Sequence, residues 1–169
     1  PAMTETLQAY YARGVGGRVA GADVRNPTWQ SRHPWSAVFI SYVMREAGAG
    51  DAFAYARAHT RYIAAAKRAA QAGDTSKFQA VDITAVRPEA GDLVCRDRQP
   101  RRGAPCAGTN FANVDRGGIS HCDIVVEVHP GYIVALGGNT GQSFPTGGRG
   151  AHTVGQKRIA LDARGFVVP

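Results

Sequence analysis

The sequence has no long hydrophobic run. Its apolar stretches, such as residues 132–136 and the run 124–128 interrupted by Glu127, stop far short of the roughly 20 residues that a membrane-crossing helix needs. No helical membrane span is therefore expected. Cysteine is scarce too: three residues are odd in number and too few for a disulfide framework, and no C-x-x-C pair offers a zinc knuckle. With His121 and Cys122 adjacent, and so on opposite faces of any strand, neither a metal nor another cofactor is expected. No secretory leader is visible, and Pro1-Ala2-Met3 reads as a cloning scar ahead of an excised domain. Repeats and low-complexity tracts are also missing.

What is present fits one globular domain, residues 4–169: 44% hydrophobic and 20% charged residues are ordinary values for a packed chain. The net charge is +7 and the pI about 9.8, a balance that favours polyanions such as nucleic acid, anionic lipid or acidic cell-wall polymers. The arginines are dispersed, however, so a merely solvated surface explains the charge equally well. Only Arg96, Arg98, Arg101 and Arg102 are dense, either to engage an anionic polymer or to keep a long loop in water. Cys95 and Cys106 flank that loop, and a bridge between them is expected in an oxidising compartment. Cys122, inside an apolar strand pattern, is expected as a small buried hydrophobe.

Along the chain, Thr4–Arg13 reads as a first helix and Gly14–Asn26 as irregular. Pro34 suits a first helical turn, after which Trp35, Val38, Phe39, Tyr42 and Val43 recur at helical spacing as far as Gly48. The Ala-rich stretch Asp51–Ala72 reads as a second, more exposed helix ending at Gly73-Asp74. Beyond it the grammar becomes β: Leu93-Val94-Cys95, then His121–Val128 and Tyr132–Leu136 around His129-Pro130-Gly131, with Thr153–Leu161 and Phe166–Val168 as closing strands. Helices first and sheet second predict an α+β fold, with N-terminal helices packed on an antiparallel sheet.

The hairpin carries a geometric expectation. A three-residue loop at 129–131 pairs Val128 with Tyr132 and, counting outward, brings His121 opposite Asn139, at the roughly 5 Å spacing of facing Cβ atoms. Asp123 shares their face and is the alternative partner for His121. Such a pair suits a nucleophile–His–orienter system, whose nucleophile belongs at a helix start where free N–H groups favour developing negative charge. Ser36 occupies that place. Because its hydroxyl stays protonated at neutral pH, His121 is expected as general base and Asn139 as its orienter.

The segment His33-Pro-Trp-Ser-Ala-Val-Phe-Ile-Ser-Tyr-Val-Met-Arg-Glu-Ala-Gly48 resembles the nucleophile helix of CHAP and NlpC-type peptidoglycan amidases, which read Trp-Cys-Ala-Xaa-Phe-Val. Gly91-Asp92-Leu93-Val94 and His121–Val128 are similar to the amidases' first strand and catalytic-His strand. A bacterial family of domains of unknown function looks closer still, in Pro34–Ser41, His59 with Tyr62, His121–Asp123 and Gly137–Asn139. The resemblance covers residues 29 to 145 and implies a papain-like fold. It also implies peptidoglycan or its fragments as partner, further domains of a larger chain as neighbours, and a periplasmic or secreted location.

The departure is Ser36 where the amidases have Cys. Three roles stand for it: a working hydroxyl nucleophile, a residue kept in a binding module that lost its thiol, or a structural helix-start serine; the absence of Glu or Gln three residues on, where Phe39 stands, weakens the last. Trp35, His59, Tyr62, Asp123 and Gly138 are expected to line the substrate site. The stretch Gly137–Gly141 lacks both the lysine and the following helix of a phosphate loop, so it reads as a strand end open to a substrate backbone. Two functions follow: peptidoglycan hydrolysis by Ser36, His121 and Asn139, or non-catalytic cell-wall binding or toxin accessory work on the same fold. Nucleic acid is disfavoured, since Trp29 and Trp35 sit beside Ser36 rather than among the clustered arginines.

Overall fold

The structure is a computed structural model that describes residues 2–97, 111–118, 120–140 and 153–168. It is an α+β fold in which helices α1 (Ala2–Ala9), α2 (Gly21–Arg25), α3 (Pro27–Arg32), α4 (Ser36–Glu46) and α5 (His59–Ala72) precede four strands. Strands β1 (Leu93–Asp97), β2 (Ser120–His129), β3 (Tyr132–Thr140) and β4 (Thr153–Ala160) form one antiparallel sheet in sequence order. No helix among the described residues is long and apolar enough to cross a membrane.

α4 is the element around which the helical layer packs. Trp35, Ala37, Val38, Phe39, Ile40 and Met44 are all buried and join Leu7, Tyr11, Val24, Phe53 and Tyr62 in the principal core. Tyr10 lays its ring 5.5 Å from Phe39 and 4.8 Å from Tyr42, in a π-helical turn, Tyr10–Gly14, that continues α1. Gly14 ends that turn directly against the α4 backbone. A Cβ there would lie 2.8 Å from the Tyr42 nitrogen and 2.9 Å from the Val38 oxygen, so only glycine permits this approach. A smaller cluster, Val125, Ile133 and Val167, is packed by Ile83, Val94, Ile159 and Leu161.

Several sequence expectations change here. Gly14–Asn26 is not wholly irregular, because α2 lies within it, and α3 follows, capped by Asn26, whose side-chain oxygen accepts from the N–H groups of Thr28 and Trp29. Pro34 precedes the helix it was expected to start, and Trp35 occupies the cap position. Helix 51–72 is broken: a 3₁₀ turn at Gly50–Ala52 and an extended connection come first, and α5 begins only at His59. Its end at left-handed Gly73 is as expected. Phe166–Val168 supplies a single bridge, Leu161 to Val167, in place of a strand.

The hairpin turn is shorter than expected. His129 faces Tyr132, leaving the two residues Pro130-Gly131 at the tip, but a bulge between Val125 and Glu127 takes up one extra residue. Beyond it Val125 faces Ala135 and Ile124 faces Leu136, the offset that a three-residue loop would have given. The bulge turns Val126 and Val128 out to solvent. Cys122 is not a free hydrophobe: it faces Cys95 across β1 and β2 and is bonded to it as a disulfide. The expected Cys95–Cys106 bridge is thereby replaced, and Cys106 itself lies outside the described residues.

Candidate active site

Two helix starts meet in the interior. Ser36 is the first residue of α4, whose first helical bond runs from the Phe39 N–H to the Trp35 carbonyl at 2.9 Å. The N–H groups of Ser36, Ala37 and Val38 thus have no carbonyl one turn back within the helix and make its end electropositive. His59 is the first residue of α5. The connection that delivers it is tied to α4 by Ser41, whose hydroxyl donates to the Ala56 carbonyl (2.9 Å) and accepts from the Ala56 N–H (3.1 Å). Phe53, 5.0 Å from the Tyr62 ring, packs the same turn of α5 from beneath. The result is a contact of 2.7 Å between Ser36 Oγ and His59 Nε2, with the two residues 3% and 5% exposed.

The other nitrogen of His59, Nδ1, bonds to the Tyr62 hydroxyl, one helical turn along. Burial, and then the charge of Asp123, push the Tyr62 phenol well above its ordinary value, so it remains a neutral hydroxyl. The His59 ring also meets His121 edge-on, at 5.2 Å between centroids. Nε2 of His121 is 3.2 Å from Asp123 Oδ1, and the other carboxylate oxygen forms an ion pair with Lys157. Burial alone would raise the Asp123 pKa, but the hydrogen bonds and charges of His121 and Lys157 outweigh it and hold the carboxyl below its usual range. Nδ1 of His121 is buried and makes no hydrogen bond with a described residue.

A family model described as an uncharacterized protein conserved in bacteria, DUF2272, matches residues 8–169. The chain belongs to this family. No curated protein and no solved structure matches it.

In this DUF2272 chain, five of the residues singled out in the sequence form one buried string: Ser36, His59 and Tyr62, then His121 and Asp123. Their order differs from the one expected. The imidazole on the Ser36 hydroxyl is His59, expected only as a lining residue, and His121 stands one ring further in. The polar partner of His121 is Asp123 rather than Asn139. Asn139 is buried nearby in sequence but holds a left-handed conformation (φ 56°), at the register break between β3 and β4. The β2–β3 ladder ends at Ile124 opposite Leu136, before it reaches His121.

Trp35 is core, with an indole N–H that has no partner among the described residues. Gly138 lies beneath Phe39 rather than on an open surface. Gly137 makes room for the acidic end of the string, since a Cβ there would meet the Asp123 carboxylate and lie 3.0 Å from His121 Nε2. Arg98, Arg101, Arg102 and residues 141–152 lie outside the described residues. No cluster of three metal-ligating side chains occurs among the described residues. Sequence reasoning missed Lys157 and the tie made by Ser41. The first sits in an exposed-looking strand pattern, and the second depends on a hydrogen bond to backbone that no spacing encodes.

Proposed function

We propose that this chain is an amide-bond hydrolase, an amidase or endopeptidase of bacterial peptidoglycan, in which Ser36 is the nucleophile and His59 its general base. The 2.7 Å contact between Ser36 Oγ and His59 Nε2 at the start of α4 carries this reading. To act as base, His59 presents the Nε2 lone pair to the hydroxyl and donates from Nδ1–H to the Tyr62 oxygen, which fixes the tautomer. As Ser36 Oγ bonds to the carbonyl carbon, its proton passes to Nε2 and the carbonyl oxygen becomes an oxyanion facing the N–H groups of the α4 start. Collapse returns the proton from His59 to the leaving amine, and water then hydrolyses the acyl-serine by the same transfers. His121, held by ionised Asp123 and Lys157, packs the His59 ring in place.

Peptidoglycan as substrate, and a papain-like ancestry of the fold, rest on the likeness of His33–Gly48 and His121–Val128 to the CHAP and NlpC-type amidases. Incubation with purified peptidoglycan followed by chromatography of released fragments tests the whole reading. Turnover by the unaltered chain and none by Ser36→Ala is expected. Turnover that survives in Ser36→Ala would remove the nucleophile assignment. A fluorophosphonate probe tests the hydroxyl without assuming a substrate, with Ser36 the expected site of labelling by peptide mass.

A second reading, a non-catalytic cell-wall-binding module, draws on the burial of Ser36 and His59. It is favoured if peptidoglycan pull-down is unchanged in Ser36→Ala and neither turnover nor labelling occurs.

A further inference from the structure

α5 has two working faces. His59 and Tyr62 point to Ser36, whereas Thr60, Arg61, Ala64 and Arg68 line a cleft of about 350 Å³ closed on its other side by Val114, Asp115, Arg116 and Gly117. The two sides are tied by Lys67, which is buried, donates to the Ala112 carbonyl (3.0 Å) and pairs with Asp115 (2.7 Å). That pair cancels the one carboxylate of the cleft. Arg61, Arg68 and Arg116 remain, and none of their guanidinium groups makes an ion pair or hydrogen bond with a described residue. Three arginines lining one concavity, with no counter-charge for their guanidinium groups among the described residues, suit oxyanions, which the guanidinium fork binds in pairs of hydrogen bonds.

We propose that this cleft binds the carboxylates of a short acidic peptide. Its volume sits at the low end of the roughly 300–1,000 Å³ typical of ligand pockets, which suits a few residues and excludes a duplex or a folded partner. Its place in the chain gives the peptide a purpose. Thr60, on the cleft wall, directly follows His59, so the anchor and the Ser36–His59 contact are joined through a single peptide bond. In the peptidoglycan reading, on which this purpose rests, the bound carboxylates are those of the stem peptide, and the cleft sets which bond reaches Ser36.

The experiment is calorimetric titration of the full chain carrying Ser36→Ala, so that no turnover intervenes, with acetyl-Ala-Glu-Glu-Ala-amide, with its Gln-Gln counterpart, likewise a C-terminal amide, and with inorganic phosphate. The acidic peptide is expected to bind, more weakly as salt rises, and the amide peptide to fail. Arg68→Gln with Arg116→Gln should cut its affinity by about tenfold or more, with the far-ultraviolet spectrum unchanged because both side chains are on the surface. Equal binding of the amide peptide, affinity unaffected by the arginine changes, or phosphate competing as strongly as the peptide would each overturn the carboxylate-peptide assignment. Binding found while the unaltered chain shows no turnover would leave the cleft standing and remove the hydrolase. Turnover with no peptide binding would do the reverse.

Discussion

His59 has both ring nitrogens engaged, one by Ser36 and one by Tyr62, whereas His121 has only Asp123 and leaves Nδ1 without a partner among the described residues. The two histidines should therefore respond differently to substitution. His59→Ala is expected to lose peptidoglycan turnover as completely as Ser36→Ala, because groups that act as a unit fail together. Tyr62→Phe, which keeps the ring and removes the acceptor for Nδ1–H, should lower kcat with little change in KM. Wild-type kcat in Tyr62→Phe would show that the tautomer is set elsewhere.

Asp123 titrates in a direction that can be read in stability. Its folded pKa is depressed, so its contribution is fully present above the ordinary carboxylate value near 3.8 and is lost as pH falls through the lower folded value. Unfolding followed by denaturant should show stability declining with acid below about pH 4 in the wild type. Asp123→Asn should flatten that limb and cost on the order of 3 kcal/mol at neutral pH, because Lys157 loses its counter-charge. A parallel acid limb in both proteins would assign it to other carboxylates.

At the level of elements, α4 and β3 meet where Gly138 lies under Phe39: a Cβ on Gly138 would come 2.6 Å from the Cβ of Phe39. Gly138→Ala is expected to destabilise by about 1–3 kcal/mol and Phe39→Ala by about 3–5 kcal/mol. The double variant should lose less than the sum, since removing the ring vacates the space the new methyl needs. Strict additivity in chemical denaturation would separate the two elements. The same contact explains what was legible in the sequence. The recurrence of Trp35, Val38 and Phe39 announced α4 because the spacing i, i+3, i+4 places apolar residues on one helical face. The late start of α5 was hidden, since Asp51–Ala72 is rich in helix formers and the break comes from tertiary ties at Phe53 and Ser41. His121 and Asp123 could be picked out from the hairpin pattern, whereas His59 and Tyr62 stood out only through the resemblance to the bacterial family. Which imidazole meets Ser36 depended on where α5 begins, and propensity does not fix that.

For the whole molecule, the Cys95–Cys122 bond closes a sequence separation of 27 and joins β1 to the strand bearing His121 and Asp123. Its reduction is expected to lower stability by about 2–4 kcal/mol, measured as a fall in the denaturation midpoint with a steeper slope as the unfolded chain expands. Peptide mapping without reductant should recover residues 95 and 122 in one linked fragment. A linked 95–106 fragment, or no midpoint shift on reduction, would contradict this pairing.

The 3% exposure of Ser36 turns its chemistry into a clock for the fold's breathing. At that exposure a reagent meets the hydroxyl mainly during excursions that open the interior, so the labelling rate is the intrinsic rate multiplied by the fraction of time the interior is open. Two phosphonates of equal electrophilicity but unequal bulk should therefore label at different speeds. Low urea, which populates openings before global unfolding, should accelerate the bulkier reagent more. Whatever sets that opening fraction also sets the upper limit on how often the site can be used.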